Sequence, residues 1–262
     1  MKKISIFNQK GGVGKTTSVV NLAVALAYLD KKVLVIDMDP QANATTGLGI
    51  DKNKVETSIY DLFYLIDDEN KEEHWDESKF ILKSKSGVDL IASENSLSGL
   101  EVELVDYDAV ERTRKLKTII ESIKASYDYI LIDCPPSLGL LSINALVASD
   151  SIIIPIQTEY YALEGVSELM NTFELVKASL NDKLYVEGVL LSMFDKRTKL
   201  AYEVVEEVKK FFKDRVFKTM IPRNVRLAEA PSHGLSAVEY DPNSQGAMAY
   251  ISLANELINN NK

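Results

Sequence analysis

Cysteine is almost absent from this 262-residue chain. Cys134 stands alone, which excludes a disulfide framework, a Cys-ligated zinc site within one chain, and the paired thiolates that a cluster-bridged iron–sulfur reductase needs. No stretch approaches 18 consecutive apolar residues, so no membrane-spanning helix is expected. The run from Met1-Lys2-Lys3 straight into an apolar strand is expected to leave no room for a signal peptide, which points to a reducing cytoplasm. Pro/Gly/Ser-rich linkers, internal repeats and low-complexity tracts are missing too, and one domain over residues 1–262 is expected. What is present is an ordinary globular composition, 46% hydrophobic and 26% charged, able to bury a large core. The net charge of −9 argues at first against nucleic acid, whose phosphates need Lys and Arg. That charge is unevenly spread: ten basic residues stand against four acidic ones between Lys196 and Arg226, and much of the acid sits in a polar run from Asp67 to Glu77 around Trp75.

Short Val- and Ile-rich runs alternate with longer helical patterns, the mark of βαβ units. The fold class expected is α/β, a doubly wound, mostly parallel β-sheet with helices on both faces. Strands are predicted at 3–7, 33–37, 88–92, 129–133, 151–156, 186–191 and 216–220, and helical periodicity is clearest over 16–29, 109–126, 163–180, 202–212 and 245–258. In such sheets ligands gather at the carboxyl ends of the strands, so residues just after 7, 37, 133 and 156 should converge.

Directly after the apolar run Ile4-Ser5-Ile6-Phe7 comes Lys10-Gly11-Gly12-Val13-Gly14-Lys15-Thr16-Thr17. Glycines can take the positive-φ conformations that turn successive backbone N–H groups inward around phosphate oxygens at the start of a helix. Lys15 then supplies a mobile positive charge, Thr16 a hydroxyl for a Mg²⁺ bridging the phosphates, and Thr17 a donor to a further oxygen. The usual phosphate-loop pattern has glycine five residues before Gly14, whereas this chain has Gln9 there and an extra lysine, Lys10, beside the glycine pair. Two further runs, Val33-Leu34-Val35-Ile36 and Tyr129-Ile130-Leu131-Ile132, end in Asp37-Met38-Asp39-Pro40-Gln41 and in Asp133-Cys134-Pro135-Pro136. An aspartate held rigidly at a strand end is a hard oxygen ligand for Mg²⁺, directly or through its waters; Asp133 is assigned that role and Asp37 the outer shell of the metal.

These motifs, together with Glu159-Tyr160-Tyr161-Ala162-Leu163-Glu164-Gly165 and Ile221-Pro222-Arg223-Asn224-Val225-Arg226, resemble the ParA/Soj partitioning ATPases over nearly the whole chain. The loop resembles the deviant form of the ParA/MinD class, in which the extra lysine reaches the partner's nucleotide. The resemblance implies that Lys10 senses the dimer, that Lys15 acts within its own chain, and that Asp39, on a switch loop stiffened by Pro40, orients the attacking water. It implies ATP and Mg²⁺ as cofactors, with Pro222 and Asn224 near the adenine. It further implies an ATP-dependent homodimer that coats double-stranded DNA without sequence preference, is released by a ParB-like centromere-binding partner, and is nucleoid-associated.

For DNA, Arg197 and Arg226 match arginines that bind it in the resembling family, and Lys199 and Arg223 lie beside them; such contacts would go to phosphates and be steeply salt-dependent. The segment Tyr240-Asp241-Pro242-Asn243-Ser244-Gln245 carries no base where relatives often have arginines, so DNA affinity is expected to be weaker or shifted onto Lys196 and Lys199. With the first strand predicted from residue 3, the N-terminal operator-reading helix-turn-helix of larger plasmid members of the resembling family is not expected, nor is site-specific repression. Two alternatives share the phosphate loop. A MinD-like membrane-positioning ATPase would need a basic amphipathic terminal helix, whereas here Tyr250, Leu253, Ala254, Leu257 and Ile258 form one apolar stripe with Lys262 as the only base. A metabolic phosphoryl-transfer enzyme would ignore DNA.

Overall fold

Seven strands carry the fold in a computed structural model that describes residues 1–66, 75–159 and 164–261. They are β1 (Lys2–Ile6), β2 (Val33–Asp37), β3 (Ile81–Lys83), β4 (Asp89–Ile91), β5 (Tyr129–Asp133), β6 (Ser151–Gln157) and β7 (Tyr185–Ser192), in the order β3-β4-β2-β5-β1-β6-β7. Every pairing is parallel except β3 with β4. β2 and β5 are buried at every residue, as strands covered on both faces must be. Their side chains alternate between two cores: Leu34, Ile36, Ile130 and Ile132 face one, Val33, Val35 and Leu131 the other.

The second core is closed by helix α1 (Lys15–Tyr28), through Val19, Leu22 and Leu26, and by the helix Gln245–Asn260, through Tyr250, Leu253, Ala254 and Leu257. The apolar stripe expected of that last helix therefore packs inward, with Ile258 partly buried at its edge. The opposite core receives the helices Glu111–Ser122, Leu140–Ala148, Glu164–Ser179 and Lys199–Phe212. Lys209, Lys210 and Lys213 lie on the exposed side, as a solvated helix face would place them. The acidic run from Asp67 lies mostly outside the described residues, as do Tyr160 to Leu163 and Lys262; Trp75 is described, and its ring stands edge-on to Phe80.

Two strand expectations need correction. Residues 216–220 form no strand: the segment meets β7 at the isolated bridge Val189–Val216, where the Phe217 amide donates to Val189 O at 3.0 Å, with a second bridge, Phe194–Pro222, beyond it. The cause is a competing acceptor, since the amides of Lys218 and Thr219 donate to the Glu256 carboxylate of the helix Gln245–Asn260 at 2.7 and 2.9 Å instead of to a ladder. The reverse case is β3, a three-residue antiparallel edge strand reached by a turn at Gly87, where φ is +81°. Three residues are too short a run to register as periodicity.

Candidate functional site

β1 lies between β5 and β6, and its register sets Ile6 opposite Asp133, which is itself opposite Asp37 of β2. Three strand ends thus deliver the glycine-rich loop and two carboxylates to one place. Gly12 and Gly14 take φ values of +75° and +91°, which side-chain-bearing residues rarely adopt. α1 begins immediately after, with no side-chain cap and no acidic residue in its first turn, and a Cβ at Gly11 or Gly12 would meet nothing within 4 Å. This is an open cradle of amides at a positive helix end, suited to phosphate oxygens. Asn8 anchors its start, donating from Nδ2 to Pro155 O at 2.8 Å and accepting from the Lys10 amide at 2.9 Å; Ser192 holds its far side by donating to Val13 O at 2.8 Å. Gln9 reaches sideways and donates to Thr172 Oγ1 at 3.0 Å, tying the loop to the helix Glu164–Ser179.

The two lysines of the loop have opposite settings. Lys15 is buried, its Nζ donating to Lys10 O at 3.1 Å; burial lowers its pKa, while Asp133, Cys134 and Asp39 pull the other way. Lys10 is exposed, while its carbonyl accepts the Lys15 ammonium.

Asp133 is fully buried and neither carboxylate oxygen has a hydrogen-bond partner among the described residues. Burial and the neighbouring Asp37 raise its pKa well above the usual carboxylate range, against the pull of Thr16 and Lys15. Asp37 is just as buried but fully engaged: its Oδ2 accepts from the Thr45 amide and hydroxyl, both at 2.8 Å, and its Oδ1 from the Asp39 amide at 3.1 Å. Burial still outweighs these donors and pushes its pKa up to about 6. Asp39 lies two residues further, its Oδ1 accepting from the Gln41 amide at 3.0 Å. Among the described residues no group of three or more His, Cys, Asp or Glu can hold a metal by itself. An orphaned carboxylate beside the Thr16 hydroxyl nevertheless fits a divalent cation that brings phosphate and water oxygens with it. Asp133 and Thr16 are the groups free to serve it, and Asp37 is committed to the backbone around it.

The raised pKa of Asp37 has a testable sign. The folded state binds this proton more tightly than the unfolded chain between pH 3.8 and about 6, so the contribution of Asp37 to stability falls as pH rises through that window. Denaturant unfolding of the nucleotide-free protein should therefore show the stability difference between wild type and Asp37→Asn moving against wild type from pH 4 to pH 6. A difference that does not change with pH would contradict this setting for the carboxyl.

Next to the start of α1 opens a cavity of about 270 Å³ whose lining includes Thr17, Met193, Ile221, Pro222, Asn224 and Leu227. It is mostly apolar with a few polar groups, the make-up of a pocket for a flat heterocycle. Pro222 and Asn224, which the resemblance implies lie near the adenine, line this cavity, and so does Arg223, assigned above to DNA. Met193, Ile221 and Leu227 were missed, and Met193, at φ +52°, carries no local signal because it meets the loop only through the sheet.

The bridge Phe194–Pro222 and the bond from the Arg223 amide to Phe194 O at 3.0 Å set side by side the two segments that carry the four residues assigned to DNA. Each is already paired: Arg197 with Asp195 at 2.7 Å, Lys199 with Glu203 at 3.1 Å, Arg223 with Glu159 at 3.3 Å, and Arg226 with Glu229 and Asp241 at 2.8 and 3.2 Å. Asp241, from the segment that lacks bases, thus acts as a partner for Arg226, while Ser244 caps the next helix through the Ala247 amide.

The family described as an AAA domain matches residues 1–186. The sporulation initiation inhibitor protein Soj of Bacillus subtilis is 54% identical over 261 residues, 99% of each chain. The chromosome partitioning protein ParA of Myxococcus xanthus is 48% identical over 257 residues, covering 97% of this chain and 87% of that one. Among solved structures, a cobyrinic acid a,c-diamide synthase from Mycobacterium smegmatis with bound ATP analog and magnesium has a TM-score of 0.82 at 29% identity, over 98% of this chain and 94% of that one. With motif, geometry and relatives in agreement along its length, the chain belongs to the ParA/Soj family of chromosome-partitioning P-loop ATPases.

Proposed function

We propose that this chain binds ATP with Mg²⁺ in the cradle between β1 and α1, pairs with a second copy across that face, and in that state holds double-stranded DNA until a ParB-like partner stimulates hydrolysis. The observation that carries this reading is the contrast between the two loop lysines: Lys15 is buried with its ammonium on the loop's own carbonyl, while Lys10, five residues earlier, is exposed and available to a second copy's nucleotide. A loop serving one chain alone needs only the first.

In this reading the amides of residues 11–17 and the Lys15 ammonium hold the β- and γ-phosphates, and the cavity lined by Pro222 and Asn224 takes the adenine. Thr16 and Asp133 hold the metal, which neutralises charge on the phosphate oxygens when bound; Asp37 fixes the surrounding backbone. Asp39 aligns a water in line with the leaving oxygen of ADP, and phosphoryl transfer asks for little else beyond positioning. The exposed arginine–carboxylate pairs on the basic side are weak and exchange partners readily, so DNA phosphates can displace the carboxylates. A metabolic phosphoryl-transfer role, the reading that the likeness to a cobyrinic acid a,c-diamide synthase favours, predicts turnover indifferent to DNA.

The test is duplex binding with ATP, with ADP and without nucleotide, at two salt concentrations. Retention only with ATP, falling steeply with salt, is expected; binding that ignores the nucleotide would refute the proposal. Arg226→Glu, which sets a third carboxylate beside Glu229 and Asp241, should weaken retention in a gel-shift assay about tenfold or more and leave ATP-dependent pairing intact. Unchanged retention would place the DNA face elsewhere.

A further inference from the structure

Beyond Met38, whose amide makes the last bond to Asp133 O, the chain leaves the sheet, and Asp39 is held by another route. β4 ends at Ile91, and two residues on Ser93 is completely buried against the segment that follows β2. Its hydroxyl donates to Asp39 O at 2.7 Å, and its amide donates to Thr45 Oγ1 at 3.1 Å. The Thr45 hydroxyl donates onward to Asp37 Oδ2, and Asp37 Oδ1 accepts the Asp39 amide. The ring closes through four residues and grips Asp39 by both of its peptide groups, the N–H on Asp37 and the C=O on Ser93. No contact of Ser93 with the glycine-rich loop is part of it.

We propose that Ser93 is a positioning residue for hydrolysis: by fixing the peptide after Asp39 it aims that carboxylate at the attacking water, without contributing to nucleotide affinity. The inference rests on the reading of Asp39 as the water-orienting group. The Ala42 amide also reaches Asp39 O, at 2.9 Å, so the Ser93 hydroxyl is the bond that ties this carbonyl to the segment after β4; an alanine would leave the carbonyl held from within its own turn alone and the peptide freer to turn. A carboxylate carried on a turning peptide shifts by a sizeable fraction of an ångström, and displacements near 1 Å cost catalysis about a hundredfold.

The experiment is steady-state ATP hydrolysis by the full chain with Mg²⁺ and duplex DNA, beside titration with a fluorescent ATP analogue, for Ser93→Ala, Ser93→Thr and Asp39→Ala. Ser93→Ala is expected to lower kcat about tenfold while KM and analogue affinity stay within about twofold. Ser93→Thr, which keeps the hydroxyl, should retain at least about half of the wild-type kcat. A wild-type kcat for Ser93→Ala beside an inactive Asp39→Ala overturns this inference alone, as does a threonine variant as slow as the alanine one, or an alanine variant whose nucleotide affinity falls as far as its kcat. Wild-type turnover by Asp39→Ala overturns the reading of Asp39 and the inference with it.

Discussion

Lys15→Ala is expected to abolish ATP binding at working concentrations. The ammonium is buried beside Asp133 and Asp39, its single hydrogen bond among the described residues goes to the loop's own carbonyl at Lys10, and burial makes its charge costly unless phosphate oxygens arrive to pair with it. Truncating one member of a buried, hydrogen-bonded charge pair costs about 2–5 kcal/mol, which is roughly thirtyfold to several thousandfold in affinity. The loss should be nearly complete because the remaining carboxylates repel the triphosphate once their counter-charge is gone. Titration with a fluorescent ATP analogue reads the effect, and wild-type affinity would show that the cradle is not the nucleotide site.

Asp39→Ala should do the opposite, keeping the nucleotide and losing its cleavage. Among the described residues the Asp39 side chain accepts from the Gln41 amide, while the backbone around it is held through its N–H by Asp37 and through its C=O by Ser93 and the Ala42 amide. Removing the carboxylate therefore leaves the segment in place and deletes only the group assigned to the water. Turnover is expected to fall about a hundredfold or more, with ATP affinity within a few-fold of wild type and DNA retention prolonged. Rapid multiple turnover by this variant would mean that another group aligns the water.

The parts of the site that sequence exposes are those built from neighbouring residues. The run from Lys10 to Thr17 reads as a phosphate cradle because its conformation and charge are local, and Asp37 and Asp133 read as a pair of strand-end carboxylates because an apolar run precedes each. Sequence assigns Asp133 to the metal and Asp37 to its outer shell without giving the physical reason for the difference. Asp37 spends its oxygens on Thr45 and Asp39, whereas Asp133 keeps both of its own, a distinction that follows from the segment after β2 and from β4 folding over one carboxylate and not the other. Ser93 was invisible for the same reason, lying 54 residues from the carbonyl it holds. The segment 216–220 has the composition of a strand and fails to become one because Glu256, on a different element, offers its amides a better-placed acceptor. The basic face was legible as composition but not as charge, since the pairing of Asp195, Glu203, Glu159, Glu229 and Asp241 with the four cations is set by the folded chain.

Sedimentation of the purified chain with Mg²⁺ and either a non-cleavable ATP analogue or ADP tests most directly whether the outward-facing Lys10 serves a second copy. The account predicts a two-subunit species with the analogue, single subunits with ADP, and loss of the pair in Lys10→Ala while analogue binding persists. Single subunits under both nucleotides would contradict it.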